Sequence, residues 1–308
     1  MLSGGASSAG GALMQVYPGM AAVNPALPAD IQQVTLDMSG LFLADLRTGS
    51  DFGGGFGLGA LFPSRWGVAA FNLQGTFADS FEDMPLGKVF SLYGGFSKDL
   101  SDTVYVGAGL STAMGHTWGG FRWGLELSLG FWNRIGTVGF IRDFRWGLTL
   151  NGMGKPYSGS EGIMDGFPAM FTLRGGIAGT LVSLEKFKLG MSADISLPVI
   201  IENAILDLGL EARFSDRVIV RSGWTVNVRE CMRGDMGLIP SLSVGMKFRT
   251  HIDLEILSRN ELQQTDIIPA VAFKPLYNGI TAFSGGVTAY LGMRDTEAPV
   301  INIWGDDE

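Results

Sequence analysis

The stretch Lys186-Phe-Lys-Leu-Gly-Met-Ser-Ala-Asp-Ile-Ser-Leu197 decides the fold. Apolar side chains alternate with polar residues or glycine at every second position. Because successive side chains of a β-strand point to opposite faces, this pattern predicts a strand with one apolar and one polar face. The same alternation returns in residues 121–131, 204–214 and 218–229. The sequence therefore predicts an all-β protein built from long amphipathic strands.

Fifteen segments carry this signal. Many have about 11 to 14 residues, whereas strands of soluble sheets have roughly 5–6 and a tilted membrane strand needs about 9–11. Single-chain bacterial barrels have even strand numbers. Either one segment is therefore false or one has been missed. The weakest segments are 251–258 and 267–275, the second of which contains Pro269, and we expect fourteen strands. The predicted strands are 33–46, 52–62, 65–77, 87–98, 103–114, 121–132, 136–150, 167–181, 185–197, 203–214, 217–229, 238–249, 251–258, 267–275 and 280–293.

The predicted connections alternate in length. Outer-membrane barrels join their strands by short periplasmic turns and longer outer loops. The alternation therefore favours a membrane barrel over a soluble meander. The short connections are 98–102, 133–136, 182–185, 215–217 and 249–251, and the longer ones are 78–86, 151–166, 230–237 and 259–266.

The composition supports a membrane protein without spanning helices. The chain of 308 residues is 46% hydrophobic and 17% charged, and it contains 46 glycines. A spanning helix needs roughly 20 apolar residues, and the longest uncharged stretch, 1–29, is broken by Pro18, Pro25 and Pro28. In lipid, every backbone hydrogen bond must be made within the protein. Without spanning helices, only a closed β-barrel can satisfy this requirement. We expect a transmembrane antiparallel β-barrel in the bacterial outer membrane, in contact with outer-membrane lipid. The net charge of −8 argues against nucleic acid as a partner.

The two faces of the strands have different expected surroundings. In a membrane barrel the apolar face meets lipid and the polar face lines the lumen. The lumen charges have both signs, so we expect salt bridges between neighbouring strands. The residues placed in the lumen are Arg122, Glu126, Arg174, Asp207, Glu211 and Arg221, with Lys186, Lys188, Asp194, Arg213 and Arg229 on the same face.

The sequence offers little for catalysis. It contains one cysteine, Cys231, and two histidines, His116 and His251, without the spacing of metal ligands. The Gly55–Ala60 stretch fits a dinucleotide fingerprint only in its letters, because it lies within a predicted strand and no helix follows. We therefore predict no catalytic residue, no metal site, no cofactor and no enzyme activity.

Residues 1–32 lack the alternation and are rich in glycine and alanine. Their Ala22-Val-Asn24-Pro25-Ala26-Leu27 stretch precedes the first long strand. It resembles the Asn-Pro-Ala motif in the N-terminal hatch of the FadL-like outer-membrane proteins, which include PorV-type barrels and spirochaetal homologues. The resemblance implies fourteen strands and an N-terminal plug. It divides the chain into a hatch at 1–32, a barrel at 33–293 and a tail at 294–308.

The resemblance also implies a function. The family comprises channels for the uptake of hydrophobic small molecules such as long-chain fatty acids. A ligand would bind in an apolar pocket near the outer loops, and movement of the hatch at Asn24, Pro25 and Ala26 would open a path through the wall. Such an exported protein is expected to carry a signal peptide, yet the first basic residue is Arg47.

Two alternatives remain open. A non-transporting PorV-type barrel would be an adaptor or anchor for other surface or secretion proteins. The stretch 295–304 favours this, since it looks like the opening of a β-sandwich module. An enclosed apolar cavity would favour transport, and a lumen filled by side chains would favour the adaptor. A soluble all-β protein is the third alternative, and its interior would be too wide for side chains to fill.

Overall fold

A computed structural model describes residues 16–46, 51–78, 87–117, 120–155, 171–198, 204–233, 240–251, 264–276 and 280–292. Fourteen antiparallel strands form one sheet. They are β1 (Val34–Asp45), β2 (Phe52–Ser64), β3 (Gly67–Phe77), β4 (Lys88–Asp99), β5 (Val104–Thr117), β6 (Gly120–Val138), β7 (Ile141–Lys155), β8 (Thr172–Ser183), β9 (Phe187–Pro198), β10 (Ile205–Phe214), β11 (Val218–Asn227), β12 (Ser241–Met246 and Phe248–His251), β13 (Gln264–Pro275) and β14 (Ile280–Leu291).

The sheet closes on itself. Each strand pairs with its neighbour in sequence, and β14 pairs with β1 from Val34–Leu291 to Asp45–Ile280. Closure leaves no free sheet edge, as a lipid environment requires. The predicted fourteen-stranded antiparallel barrel is confirmed.

The fifteenth predicted segment is explained by β12. Its two parts pair with β13 in one continuous register, from Leu242–Phe273 to His251–Gln264. This register places Pro269, which has no backbone N–H, opposite Met246, so the ladder is interrupted there. The prediction of a turn at 249–251 was wrong, because Arg249 and His251 belong to the strand. The rest of the predicted strand 251–258 lies outside the described residues.

The turn between β6 and β7 differs from its prediction. A turn was expected at 133–136, but β6 continues to Val138 and the chain reverses at Gly139, whose φ is 60°. The sequence pattern did not reveal this extension of β6. Ile135 and Val138 are apolar, but they remain exposed at the barrel end. The pairing of β7 with β8 has a register shift between Arg142 and Arg145, next to this turn.

The wall has an apolar outer surface. Two tryptophans of β6 show the difference between its faces: Trp123 on the outer row is 48% exposed, whereas Trp132 on the inner row is 2% exposed. The outward row of β10 likewise exposes Leu206, Leu208 and Leu210, while Glu211 on the inward row is buried. Water would penalise such an apolar exterior, and lipid would not. Among the described residues, no helix is long and apolar enough to cross a bilayer.

Candidate functional site: the inner wall and the N-terminal segment

Residues 16–31, here called the N-terminal segment, form two short 3-10 helices, Pro18–Ala22 and Leu27–Asp30. Proline starts or nearly starts each helix, where its missing N–H costs nothing. Between them, the Oδ1 atom of Asn24 accepts a hydrogen bond from the backbone N–H of Ala26 at 3.0 Å. This local asparagine turn reverses the chain. Asn24 and Ala26 are fully buried, so the predicted hatch motif lies within the protein.

Glycines of the inner wall make room for this segment. A Cβ atom at Gly59 of β2 would lie 2.6 Å from the Cβ of Pro18. A Cβ at Gly107 of β5 would overlap the Pro25 carbonyl, and one at Gly130 of β6 would overlap Asn24. Glycine in a strand often marks close approach of another backbone. The inner rows of β2, β5 and β6 are therefore shaped to the N-terminal segment.

Side chains of the wall hydrogen-bond the segment's backbone carbonyls. Five donors come from five strands, and the carbonyls belong to residues from 16 to 26. The acceptors are backbone carbonyls. These bonds therefore fix the path of the segment independently of the identity of its side chains. The pairs are Asn72 Nδ2 to Pro18 O (2.8 Å), Tyr93 Oη to Ala21 O (2.8 Å), Asn151 Nδ2 to Val23 O (3.1 Å), Trp132 Nε1 to Ala26 O (2.8 Å) and Tyr290 Oη to Val16 O (3.1 Å).

A sixth bond runs the other way. The side-chain amide of Asn24 donates to the carbonyl of Phe131 at 3.1 Å. Asn24 thus fixes the local turn through its oxygen and binds β6 through its nitrogen. These bonds reach β3, β4, β6, β7 and β14, which lie on different sides of the barrel. The sequence singled out Asn24 but missed the five wall donors, whose only signal was a polar or aromatic residue on a glycine-rich inner row.

An ion pair binds the end of the segment next to β1. Arg134 of β6 donates to Asp30 at 2.6 Å, and its guanidinium lies 5.5 Å from the ring centre of Trp132. Trp132 stacks on Tyr105 with ring centres 3.9 Å apart. The arginine therefore connects Asp30 to an aromatic pair on the inner wall.

The predicted lumen charges of β8 to β11 form two groups of ion pairs. Arg174 donates to Asp194 at 2.7 Å and lies 3.5 Å from Asp207. Glu211 accepts bonds from Arg221 at 2.9 Å and from Arg213 at 3.3 Å. These groups lie on neighbouring inward rows, where the alternation puts opposite charges within reach.

The other predicted polar residues lie elsewhere. Arg122 and Glu126 are half-buried on the inner row of β6, near its Gly120 end. Lys186 lies exposed in the turn before β9, and Lys188 lies 3.9 Å from Asp216 at the barrel end. Arg229 belongs to the helix α1 (Val228–Arg233) that follows β11. Within the described ranges, no group of three or more His, Cys, Asp or Glu residues is placed to hold a metal ion.

Two cavities adjoin the segment. One of about 60 Å³ lies between Tyr17, Asp37 and Arg221, and its lining is part polar and part apolar. The other, a cleft of about 450 Å³, lies at the short-turn end between Ile31, Arg65 and Asp102. The predicted apolar ligand pocket would be near the long loops, and most residues of those loops lie outside the described ranges.

Comparison with known proteins gives similarity of structure without similarity of sequence. No protein-family model matches the chain, and no curated protein matches it. The barrel superposes on the deltaS2 mutant of the TodX monoaromatic hydrocarbon channel with a TM-score of 0.52 and 11% identity, covering 89% of this chain and 94% of that one. This chain has the fold of an outer-membrane β-barrel. The toluene transporters TodX of Pseudomonas putida and TbuX of Ralstonia pickettii each superpose with a TM-score of 0.50 and 12% identity. The alignments cover 94% of this chain and 96% of TodX, and 88% of this chain and 92% of TbuX.

Proposed function

We propose that the protein is a FadL-like barrel of the bacterial outer membrane that admits hydrophobic small molecules. The observation that carries this proposal is the N-terminal segment bound to the inner wall of a fourteen-stranded barrel whose fold is similar to TodX and TbuX. The segment acts as the hatch, and Asn24, Pro25 and Ala26 are its contact with β5 and β6. Long-chain fatty acids are the substrate class that the Asn-Pro-Ala resemblance favours.

The substrate route follows from the distribution of polar groups. The inner faces of β8 to β11 carry buried ion pairs, which an apolar molecule would have to desolvate. An apolar molecule would lose less free energy of hydration along the glycine-rich inner faces of β2 to β6. The N-terminal segment covers these faces. Uptake on this route requires the segment to leave part of that wall.

The experiment is an uptake assay in bacterial cells that lack their own channel for hydrophobic compounds. Cells expressing the protein receive labelled oleate or labelled toluene, and uptake is compared with that of cells carrying an empty vector. A heat-modifiable band on an unheated gel verifies that the barrel is folded in the membrane. Faster uptake of oleate than of toluene supports the fatty-acid assignment. Uptake of neither compound by a folded barrel contradicts the transport function.

A second candidate function is a non-transporting adaptor for surface or secretion proteins. It is favoured by the ring of hydrogen bonds that holds the N-terminal segment from several sides of the barrel. An adaptor needs no path, so releasing the segment would not start uptake of either compound. A channel in which the segment is the only barrier would gain uptake on its release. The Gly130→Val variant separates the two candidates, because it places a side chain against Asn24 and is expected to release the segment.

A further inference from the structure

Strand β7 contains a β-bulge beside the N-terminal segment. Its register with β6 shifts between Leu127 and Leu129, where Ser128 alone faces two residues of β7, Asn151 and Gly152. Two residues opposite one in an antiparallel pair define a β-bulge, and bulges often aim a side chain at a functional site. The bulge therefore directs attention to what Asn151 contacts.

The bulge interrupts the alternation of β7. Leu150 pairs with the outward Leu129, and the next outward residue of β7 is Met153, which pairs with the outward Leu127. Outward residues are thus three positions apart here, whereas a regular strand places them two apart. The sequence pattern predicted that this strand ends at residue 150 for that reason. The prediction was wrong, since β7 continues to Lys155.

Gly152 supplies the backbone conformation of the bulge. Its φ is 80°, in the left-handed region that residues with a Cβ atom rarely adopt. Glycine in this region is typical of one common class of bulge. A Cβ atom at position 152 would therefore strain the bulge, and the strain would be relieved by moving its neighbour Asn151.

The side chain of Asn151 is held in one orientation. Its Nδ2 donates to the carbonyl of Val23 at 3.1 Å, and its Oδ1 accepts a hydrogen bond from the Thr149 hydroxyl at 2.9 Å. Thr149 is 1% exposed, and its hydroxyl also lies 3.0 Å from the carbonyl of Leu129 on β6. Because a hydroxyl donor faces the amide oxygen, the amide nitrogen is directed at the N-terminal segment.

The bond to Val23 lies where the segment reverses. Asn24, the next residue, donates to the carbonyl of Phe131 on β6. The neighbouring strands β6 and β7 therefore bind two successive residues of the segment. Their two bonds differ in origin, because β6 offers a backbone carbonyl, whereas β7 offers a side chain whose position depends on the bulge.

We propose that Gly152 and Thr149 are positioning residues for the N-terminal segment. Gly152 allows the bulge that places Asn151, Thr149 orients the Asn151 amide, and Asn151 holds Val23 against the wall. The inference rests on the proposed role of the segment as a hatch, and it names the wall residues that set the closed position of that hatch.

Hydrogen exchange in detergent, followed by NMR, tests the role of Gly152. The amides of Val23 and Asn24 are hydrogen-bonded at the end of the first 3-10 helix, and that of Ile31 at the end of the second. Gly152→Ala should speed exchange at Val23 and Asn24 by about tenfold, as expected from the strain of a left-handed residue with a Cβ atom. Exchange at Ile31 should not change. Gly152→Asn should restore slow exchange, because asparagine tolerates this conformation.

Gly175→Ala on the neighbouring strand β8 is the matched control. A Cβ atom at Gly175 would make only an ordinary contact, 3.6 Å from Leu148, so exchange in the segment should stay slow. Equal exchange in Gly152→Ala and the wild type overturns the proposal. So does equal acceleration at Ile31, or a Gly152→Asn variant that exchanges as fast as Gly152→Ala.

A double-mutant cycle tests whether Thr149 acts through Asn151. Thr149→Val and Asn151→Ala should each speed exchange at Val23, and Thr149→Ser, which keeps the hydroxyl, should not. Adding Thr149→Val to Asn151→Ala should cause no further acceleration, because the two residues act on one bond. Effects that multiply in the double variant, or equal effects of valine and serine, overturn the assignment.

Heat-modifiable migration verifies that the barrel of each variant has folded. The readout is exchange within the segment and does not involve transport. Absence of uptake would therefore contradict the proposed function, whereas absence of accelerated exchange would contradict only the role of Gly152 and Thr149.

Discussion

Asn24 lies directly against Gly130, so closely that a Cβ atom at position 130 would overlap the Asn24 Oδ1 atom. The same asparagine donates to the carbonyl of Phe131, the next residue of β6. The contact and the bond together fix the N-terminal segment on one point of the wall. Since the contact depends on a missing side chain, adding one there is the most direct way to release the segment.

Gly130→Val is therefore expected to displace the N-terminal segment while the barrel remains closed. Overpacking of this kind costs about 1–3 kcal/mol, which the segment can avoid by leaving the wall. Limited proteolysis in detergent should cut within residues 16–31 much faster than in the wild type, at an unchanged unfolding temperature of the barrel. Gly94→Val is the control, because a Cβ at Gly94 has no atom within 4 Å. Equal cleavage of both variants would mean that Gly130 does not hold the segment.

Removing a wall donor should loosen the segment without adding volume. Tyr93→Phe deletes the hydroxyl that donates to Ala21 and leaves a buried carbonyl unpaired, at a cost of about 1–3 kcal/mol. Hydrogen exchange of the backbone amides in residues 16–31 should speed up. Tyr105→Phe is the matched control, since the Tyr105 hydroxyl donates to Asp102 in a turn outside the segment. Faster exchange in the control and not in Tyr93→Phe would contradict the assigned role.

Strand positions and faces were predictable because lipid and lumen impose opposite chemistry on alternate residues. That rule located β9 and β10 to within two residues at each end. The rule failed at 133–136 and 249–251. A membrane strand that extends beyond the bilayer continues to alternate apolar and polar side chains, so the pattern does not mark the end of the strand. The segment 267–275 is one of the two weakest in the sequence because of Pro269, yet it lies within β13, since a barrel tolerates the one missing donor in the β12–β13 ladder.

The candidate site was predictable only in part. Asn24 and Pro25 were singled out through a resemblance, and the charges of Arg174, Glu211 and Arg221 through their position on the polar face. The donors Asn72, Tyr93 and Trp132 were not, because their role depends on where the N-terminal segment crosses the lumen. No periodic pattern encodes that path, which is set by contacts between residues far apart in sequence.

Glu211 is expected to be the most sensitive of the lumen charges. It is 1% exposed and accepts bonds from Arg213 and Arg221. Glu211→Ala leaves two buried guanidinium groups without their carboxylate, which costs about 3–5 kcal/mol. Asp216→Asn removes an exposed pair with Lys188 and should cost at most about 1 kcal/mol. Urea unfolding of the barrel in lipid vesicles, followed by tryptophan fluorescence, measures both. Similar costs for the two changes would show that Glu211 is well hydrated.

The depth of the barrel in the bilayer can be read from two positions on one outward row. Leu208 lies in the middle of β10 and Phe214 at its end, and their side chains are 48% and 46% exposed. Arginine at the bilayer midplane of a barrel costs about 2–4 kcal/mol, but only about 0–1 kcal/mol near the interface. Leu208→Arg should therefore lower the free energy of unfolding in vesicles far more than Phe214→Arg. Both changes should be nearly neutral in a soluble protein with the same exposures, so equal and small effects would contradict a membrane-embedded β10.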